Sequence, residues 1–310
     1  MRETIETTTV LLVAGKGGVG KSTLSASLGV AAASLGRKTI VVALSPSPIL
    51  DNLTLSISEH DPCLGSAADC ISTVVLKPEE VLTRYLEEHG MAALGRRLIA
   101  TGVVSVVATA IPGIRELLVL AKIKQIERSG EFDTVILDSP ASGHLVTFLS
   151  SPKGLADIAN VGLLRTQADD VIGLLSDPAR CKVIMVTLPE ETPVSETLET
   201  IQKIEELKSV TLGPVIVNGL IHPPDVSPDA LKLMDPLSVH DGIVGAYKYV
   251  ASRSLMQTKN VDLLRHRLGP LALATTSFQF NTSLTSIDAK NLGDELLRAN
   301  ISTEEQTDVS

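Results

Sequence analysis

The sequence predicts an α/β fold built on a mostly parallel β-sheet covered by helices on both faces. Apolar, strand-like runs recur at 8–14, 38–44, 133–138, 181–187 and 213–218, with a late candidate at 271–275, and helical stretches lie between them. Aromatic residues are scarce, with three tyrosines, four phenylalanines and no tryptophan. Core volume must therefore come from Val, Leu, Ile and Ala, the residues of strands buried on both faces. The 310 residues, free of repeats and low-complexity blocks, suffice for a single large domain over 1–310 or a core with an inserted subdomain.

The first strand, Thr9 to Ala14, runs into Gly15-Lys16-Gly17-Gly18-Val19-Gly20-Lys21-Ser22, and Thr23 continues into a helix that runs to Leu35 and stops at Gly36. Strand, glycine loop and helix start are the context a phosphate-binding loop requires. The glycines let successive backbone N–H groups turn inward around phosphate oxygens, beside the positive end of the helix dipole. Lys21 is then placed to reach the β- and γ-phosphates and Ser22 to ligate Mg²⁺. Lys16 stands too early in the loop to be a second cradle lysine, and is read as projecting across an interface onto a nucleotide held by another subunit. The fold class is thus a P-loop NTPase.

The second strand ends Val41-Val42-Ala43-Leu44-Ser45-Pro46-Ser47-Pro48. The alternation of strands and helices then breaks over 54–130, read as a helical insertion with a possible short strand at 72–76, an amphipathic stretch from Pro78 to His89, an apolar stretch over 91–111 and a helix opening at Pro112. The next strand leads into Asp138-Ser139-Pro140-Ala141-Ser142-Gly143-His144. A carboxylate at the end of a buried strand either orients a magnesium-bound water or caps a helix, and Gly143 permits backbone approach to a γ-phosphate. Asn218 ends a later strand; its amide suits an adenine edge, although asparagine there also serves as a turn residue. Thr192-Pro193 reads as an N-cap and first helical residue, with Ser195 and Glu196 in the first turn.

The lysine-bearing loop, the Asp138–His144 block and the Leu188–Glu196 block together resemble the ArsA-type ATPases, which include arsenite-pump ATPases and the targeting ATPases of tail-anchored membrane proteins. Ile111 to Leu118 is similar to bacterial, especially actinobacterial, members. The resemblance covers 8–50 and 110–220. It implies an ATPase using ATP and Mg²⁺, dimerising face to face around nucleotide with Lys16 contacting phosphate in trans. It also implies nucleotide binding by Gly15, Gly17, Gly18, Val19, Gly20, Lys21, Ser22, Thr23, Gly143 and Asn218, and metal linkage through Ser22 and Asp138. One departure stands out: the family's second strand ends in an Asp-Pro pair whose Asp orients the attacking water, and Ser45 occupies that position. Asp51, six residues on, substitutes only if the loop bends back. The expectation is tight MgATP binding with slow hydrolysis, as a homodimer or as a heterodimer with a paralogue that keeps the aspartate.

Composition narrows the partners. A net charge of −9 disfavours nucleic acid, and a basic amphipathic C-terminal helix of the kind ParA/MinD relatives use is not evident in Ser283–Arg298. Cys63, Cys70 and Cys181 form no CxxC pair, so free thiols are expected and metalloid pumping disfavoured. The polar N-terminus shows no leader, and Leu98–Ile111 is too short to span a bilayer, which predicts a cytoplasmic protein. A protein client or membrane partner remains open, the apolar 91–111 stretch being either core or client groove. The tail over 301–310 is expected to be disordered.

Overall fold

The structure is a computed structural model that describes residues 1–59, 64–77, 80–81, 113–159, 161–222 and 241–299. The elements are α1 (Arg2–Thr7), β1 (Val10–Gly15), α2 (Lys21–Ser34), β2 (Thr39–Ala43), α3 (Pro48–Ser58), β3 (Ile71–Val75), α4 (Ile114–Ser129), β4 (Thr134–Ala141), α5 (Ser142–Ile158), α6 (Leu163–Ser176), β5 (Cys181–Thr187), α7 (Glu191–Leu207), β6 (Leu212–Leu220), α8 (Asp241–Leu268), β7 (Leu273–Ser277) and α9 (Ser286–Arg298). The seven strands form one sheet in the order β3-β2-β4-β1-β5-β6-β7, and each neighbouring pair is parallel. After β1 the chain builds β2, β3 and β4 on one side, then crosses to build β5, β6 and β7 on the other. The carboxyl end of β1 is therefore the switch point where open α/β sheets bind ligands.

Alternation along the buried strands divides two cores. Val10, Leu12 and Ala14 with Val135, Leu137, Val183 and Met185 pack beneath α4 to α8 on one face. On the other, Leu11 and Val13 with Val41, Ile136, Ile184 and Ile216 pack beneath α1, α2, α3 and α9. Helix α2 is buried from Leu24 to Ala33, enclosed between sheet and α9. Its small residues let neighbours approach: a Cβ on Gly29 would lie 2.5 Å from Val41 Cγ2, and one on Gly293 of α9 would lie 2.7 Å from the Ser27 carbonyl oxygen. Gly293→Val should therefore destabilise the protein by about 1–3 kcal/mol through overpacking against backbone that cannot yield. Its propensity gain over glycine, a few tenths of a kcal/mol, does not offset that. Thermal unfolding would show the loss as a lowered Tm; an unchanged Tm would mean that α9 is free to shift.

Parts of the 54–130 segment belong to the sheet layers. The strand expected at 72–76 is β3, paired with β2 from Thr39↔Ile71 to Ala43↔Val75. Helix α4 lays Leu117, Leu120 and Ile123 in the core against the sheet. It begins at Ile114 behind Gly113, whose φ of 86° suits glycine, rather than at Pro112, which lies outside the described residues. The apolar 91–111 stretch and the 301–310 tail lie outside them as well.

Candidate nucleotide-binding site

The loop between β1 and α2 takes its shape from glycine. Gly15 lies against the backbone of β5, where a Cβ would overlap the Val186 carbonyl oxygen. Gly18 and Gly20 hold φ of 84° and 90°, conformations side chains resist. A Cβ on Gly17 or Gly18 would meet nothing within 4 Å, so the loop presents open backbone at the head of α2. Val19 is buried and anchors the loop, and Thr23 sits half-buried in the first helical turn.

Lys21 folds back over the loop, its Nζ donating to the Lys16 carbonyl oxygen at 2.9 Å. Burial pulls its pKa below the usual lysine value, against the opposing pull of the Asp138 carboxylate. Asp138 lies in β4, in register with Val13 of β1 and Ala43 of β2. Its Oδ2 accepts from Ser22 Oγ at 2.6 Å and its Oδ1 from Ser25 Oγ at 3.4 Å. Burial raises its pKa above the usual carboxylate value, although both serine hydroxyls and the Lys21 charge favour the ionised form. Ser139, the next residue along β4, has a buried hydroxyl with no hydrogen-bond partner among the described residues. A carboxylate held on a serine hydroxyl and a half-buried ammonium over a loop of open backbone fit a triphosphate and its Mg²⁺: Lys21 and the loop would hold the phosphates, Ser22 and Asp138 the cation.

The other expected residues lie on β6 and on the segments that follow β2 and β4. Gly143 is in the first turn of α5, directly after β4, and a Cβ there would meet nothing within 4 Å. Ser45 is exposed two residues beyond Ala43, the strand residue paired with Asp138. Asp51 is exposed in the first turn of α3. Asn218 buttresses the loop: its Nδ2 donates to the Val19 carbonyl at 2.9 Å and its Oδ1 accepts from Thr276 Oγ1 at 2.9 Å. A Cβ on Gly20 would overlap that amide.

Two features escaped the sequence reading. Lys16 forms an ion pair with Glu196 in the first turns of α7, which caps at Glu190 and so includes Thr192 and Pro193 rather than starting at them. The Leu188–Glu196 block is thus more than a helix start; its place in the family resemblance was the available signal. The Ser139 orphan had no sequence signal. Cys70 and Cys181 are free thiols, Cys181 with its pKa pushed up to about 12 by burial, and Cys63 lies outside the described residues. Among the described residues no cluster of three His, Cys, Asp or Glu side chains is placed to hold a metal, and no helix is long and apolar enough to cross a membrane.

Glycine loop, helix start and a carboxylate on the neighbouring strand at the switch point of a parallel sheet define a P-loop ATPase. The family described as anion-transporting ATPase, the ArsA type, matches residues 8–161. Among relatives, the chain is 30% identical to ATPase BagA of Mycobacterium tuberculosis strain H37Rv over 250 residues, covering 76% of this chain and 73% of that protein. It is 28% identical to ATPase get3 of Botryotinia fuckeliana over 210 residues, 66% of this chain and 58% of that one. The ATPase get3 of Neurospora crassa matches at 28% over 205 residues, 64% and 57% of the two chains. The chain belongs to the ArsA-type ATPase family.

Proposed function

We propose that this protein is a cytoplasmic ATPase that binds MgATP tightly, closes as a dimer around it and hydrolyses it slowly, coupling closure to a protein client or membrane partner. The observation that carries this is the hydrogen bond from the Ser22 hydroxyl to Asp138 beside the glycine loop, together with a serine at position 45 where the family resemblance calls for a water-orienting aspartate. Bound Mg²⁺ would supply charge neutralisation for the phosphates; the chain itself supplies the N–H cradle, Lys21 and a fixed carboxylate. Ser45 offers a hydroxyl, which cannot accept the proton of an attacking water as a carboxylate does. Binding and transition-state stabilisation are separable, so affinity survives the loss. A second reading, a nucleotide-gated subunit that relies on a paralogue for hydrolysis, draws on the same serine and is distinguished by mixing with such a paralogue.

Lys16 supports the dimer reading. Within one chain its partner is the Glu196 carboxylate, which a phosphate of a facing subunit's nucleotide would replace. Both side chains are partly exposed, at 52% and 30%, so the pair is worth less than about 1 kcal/mol and gives way readily to a phosphate. Size-exclusion chromatography with MgATP is the test. The wild type should dimerise with ATP, Lys16→Ala should stay monomeric with nucleotide affinity retained, and Glu196→Gln should dimerise at up to about fivefold lower ATP. Dimerisation by Lys16→Ala equal to wild type would remove the trans-acting lysine from the account.

A further inference from the structure

We propose that the cavity between the edge strand β3 and helix α4 is a binding site for a small amphipathic anion, a carboxylate carried on a medium-length apolar chain. The site is separate from the glycine loop and does not depend on the nucleotide reading.

The cavity measures about 650 Å³, a volume usual for small-molecule pockets. It lies on the face of the sheet that packs beneath α4, whereas α2, which follows the glycine loop, covers the other face. Strand β3 stands three strand steps from β1, about 14 Å at ordinary spacing. The Leu76 N–H donates to the Ala43 carbonyl at 2.8 Å, so the extended backbone of β3 continues to that residue. Strand alternation then turns both Val74 and Leu76 to the α4 face, where they pack against the core. On α4, Leu118, Ala121, Gln125 and Arg128 follow at steps of three and four and share one helical face, with Lys122 beside them.

Polarity changes along that face. It is apolar at Leu118 and Ala121 and cationic at Lys122 and Arg128, over about 15 Å of helix from Leu118 to Arg128. Four cations line the cavity, Lys77, Lys122, Lys124 and Arg128, against one carboxylate, Glu80, among the described lining residues. Glu80 pairs with Lys77 at 2.9 Å, and Asp170 of α6 takes Lys124 at 2.8 Å and Arg128 at 3.3 Å. Two carboxylates thus answer four cations. Lys122 donates to the neutral Gln125 amide oxygen at 2.7 Å, a contact that leaves its charge unmatched. In a chain with a net charge of −9, this local positive surplus favours an anion.

The cationic wall is also ordered in advance. The Lys124 side chain is 7% exposed and is fixed by Asp170 and by Gln167 Oε1 at 3.0 Å. Binding against such a wall costs little ordering entropy. A bare anion would leave the apolar part of the lining in water, and a neutral chain would leave the cations unanswered. A ligand with both parts satisfies the whole cavity.

The experiment uses the full chain in calorimetry with four probes: decanoate, hexanoate, decanol and inorganic phosphate. Decanoate should bind one saturable site. Decanol, which lacks the charge, and hexanoate, which lacks the length, should each bind at least about tenfold more weakly. Phosphate should not displace decanoate. Lys122→Gln should weaken decanoate about tenfold and leave decanol unchanged. Ala121→Phe, which fills the apolar end, should weaken both. Because the chain has no tryptophan and Val75 lines the cavity at 37% exposure, Val75→Trp gives a single reporter whose emission should shift with decanoate. Equal affinity for decanoate and decanol would overturn the anion, and equal affinity for decanoate and hexanoate the apolar chain. Absence of saturable binding, decanoate affinity unmoved by Lys122→Gln and Ala121→Phe, or a silent tryptophan would overturn the site. Competition between MgATP and decanoate would merge it with the glycine loop and overturn it too. Protein that binds decanoate but no MgATP would remove the nucleotide reading alone.

Discussion

Ser45→Asp should raise steady-state ATP hydrolysis about a hundredfold while leaving KM for ATP within a few-fold of wild type. The position favours such a gain. Ser45 is exposed in the bend after β2, so a carboxylate there meets no burial cost. It lies two residues past Ala43, whose partner across the strands is Asp138, at the edge where the glycine loop opens. A positioned general base contributes about 10²- to 10⁴-fold, and the lower end is appropriate for a group restored into a loop that has not adapted to it. Because the interaction would be made in the transition state, the change should fall on kcat. Ser45→Asn, similar in size but unable to take a proton as a carboxylate does, should show no gain. Asp51→Ala in the wild-type background checks the remaining route. If that variant loses most of a substantial wild-type turnover, the carboxylate on α3 does the work and the account built on Ser45 fails.

The parts of the fold that could be read in the sequence are those whose signal is local. The β1 run, the glycine loop and α2 are contiguous, and each glycine there answers a need visible in the chain: Gly20 caps α2 in a left-handed conformation and Gly36 follows its last turn at φ 77°. The strands at 181–187 and 213–218 were legible because burial on both faces demands uninterrupted apolar runs. What was not legible depends on contacts distant in sequence. Residues 71–75 are mostly half-buried or exposed because β3 is an edge strand; the sequence suggested a short strand there, and its pairing with β2 places it in the sheet. Lys16 and Glu196 are 180 positions apart, and Asn218 and Val19 are 199 apart. A sequence pattern offers an amide for a base edge but does not show that the same amide braces the loop. Residues 78–79 and 82–112, on which the insertion reading largely rested, lie outside the described structure, so that reading stands as a proposal.

Asp138→Asn separates a metal-linked carboxylate from a helix cap, the alternative that the sequence left open. The structure ties Asp138 to two serine side chains of α2, Ser22 and Ser25, on the face of the sheet where that helix packs. With its pKa raised by burial, the native state keeps the proton to higher pH than the unfolded chain does. The stability this group contributes is thus fully present below the unfolded value and is lost as pH rises through the raised native one. At neutral pH the ionised carboxylate of the empty protein is a net cost. Asparagine keeps a carbonyl for Ser22 and removes the charge. Nucleotide-free Asp138→Asn should accordingly melt at the same temperature as wild type or higher at pH 7, with the difference narrowing as pH falls through the raised pKa. Turnover should fall about 10²- to 10³-fold, the scale of losing a fixed electrostatic group at a reacting centre. The stabilisation of wild type by MgATP over ATP with chelator should vanish in the variant. A cap would behave in the opposite way on each count: a lower melting temperature without nucleotide, and a Mg²⁺ effect left intact.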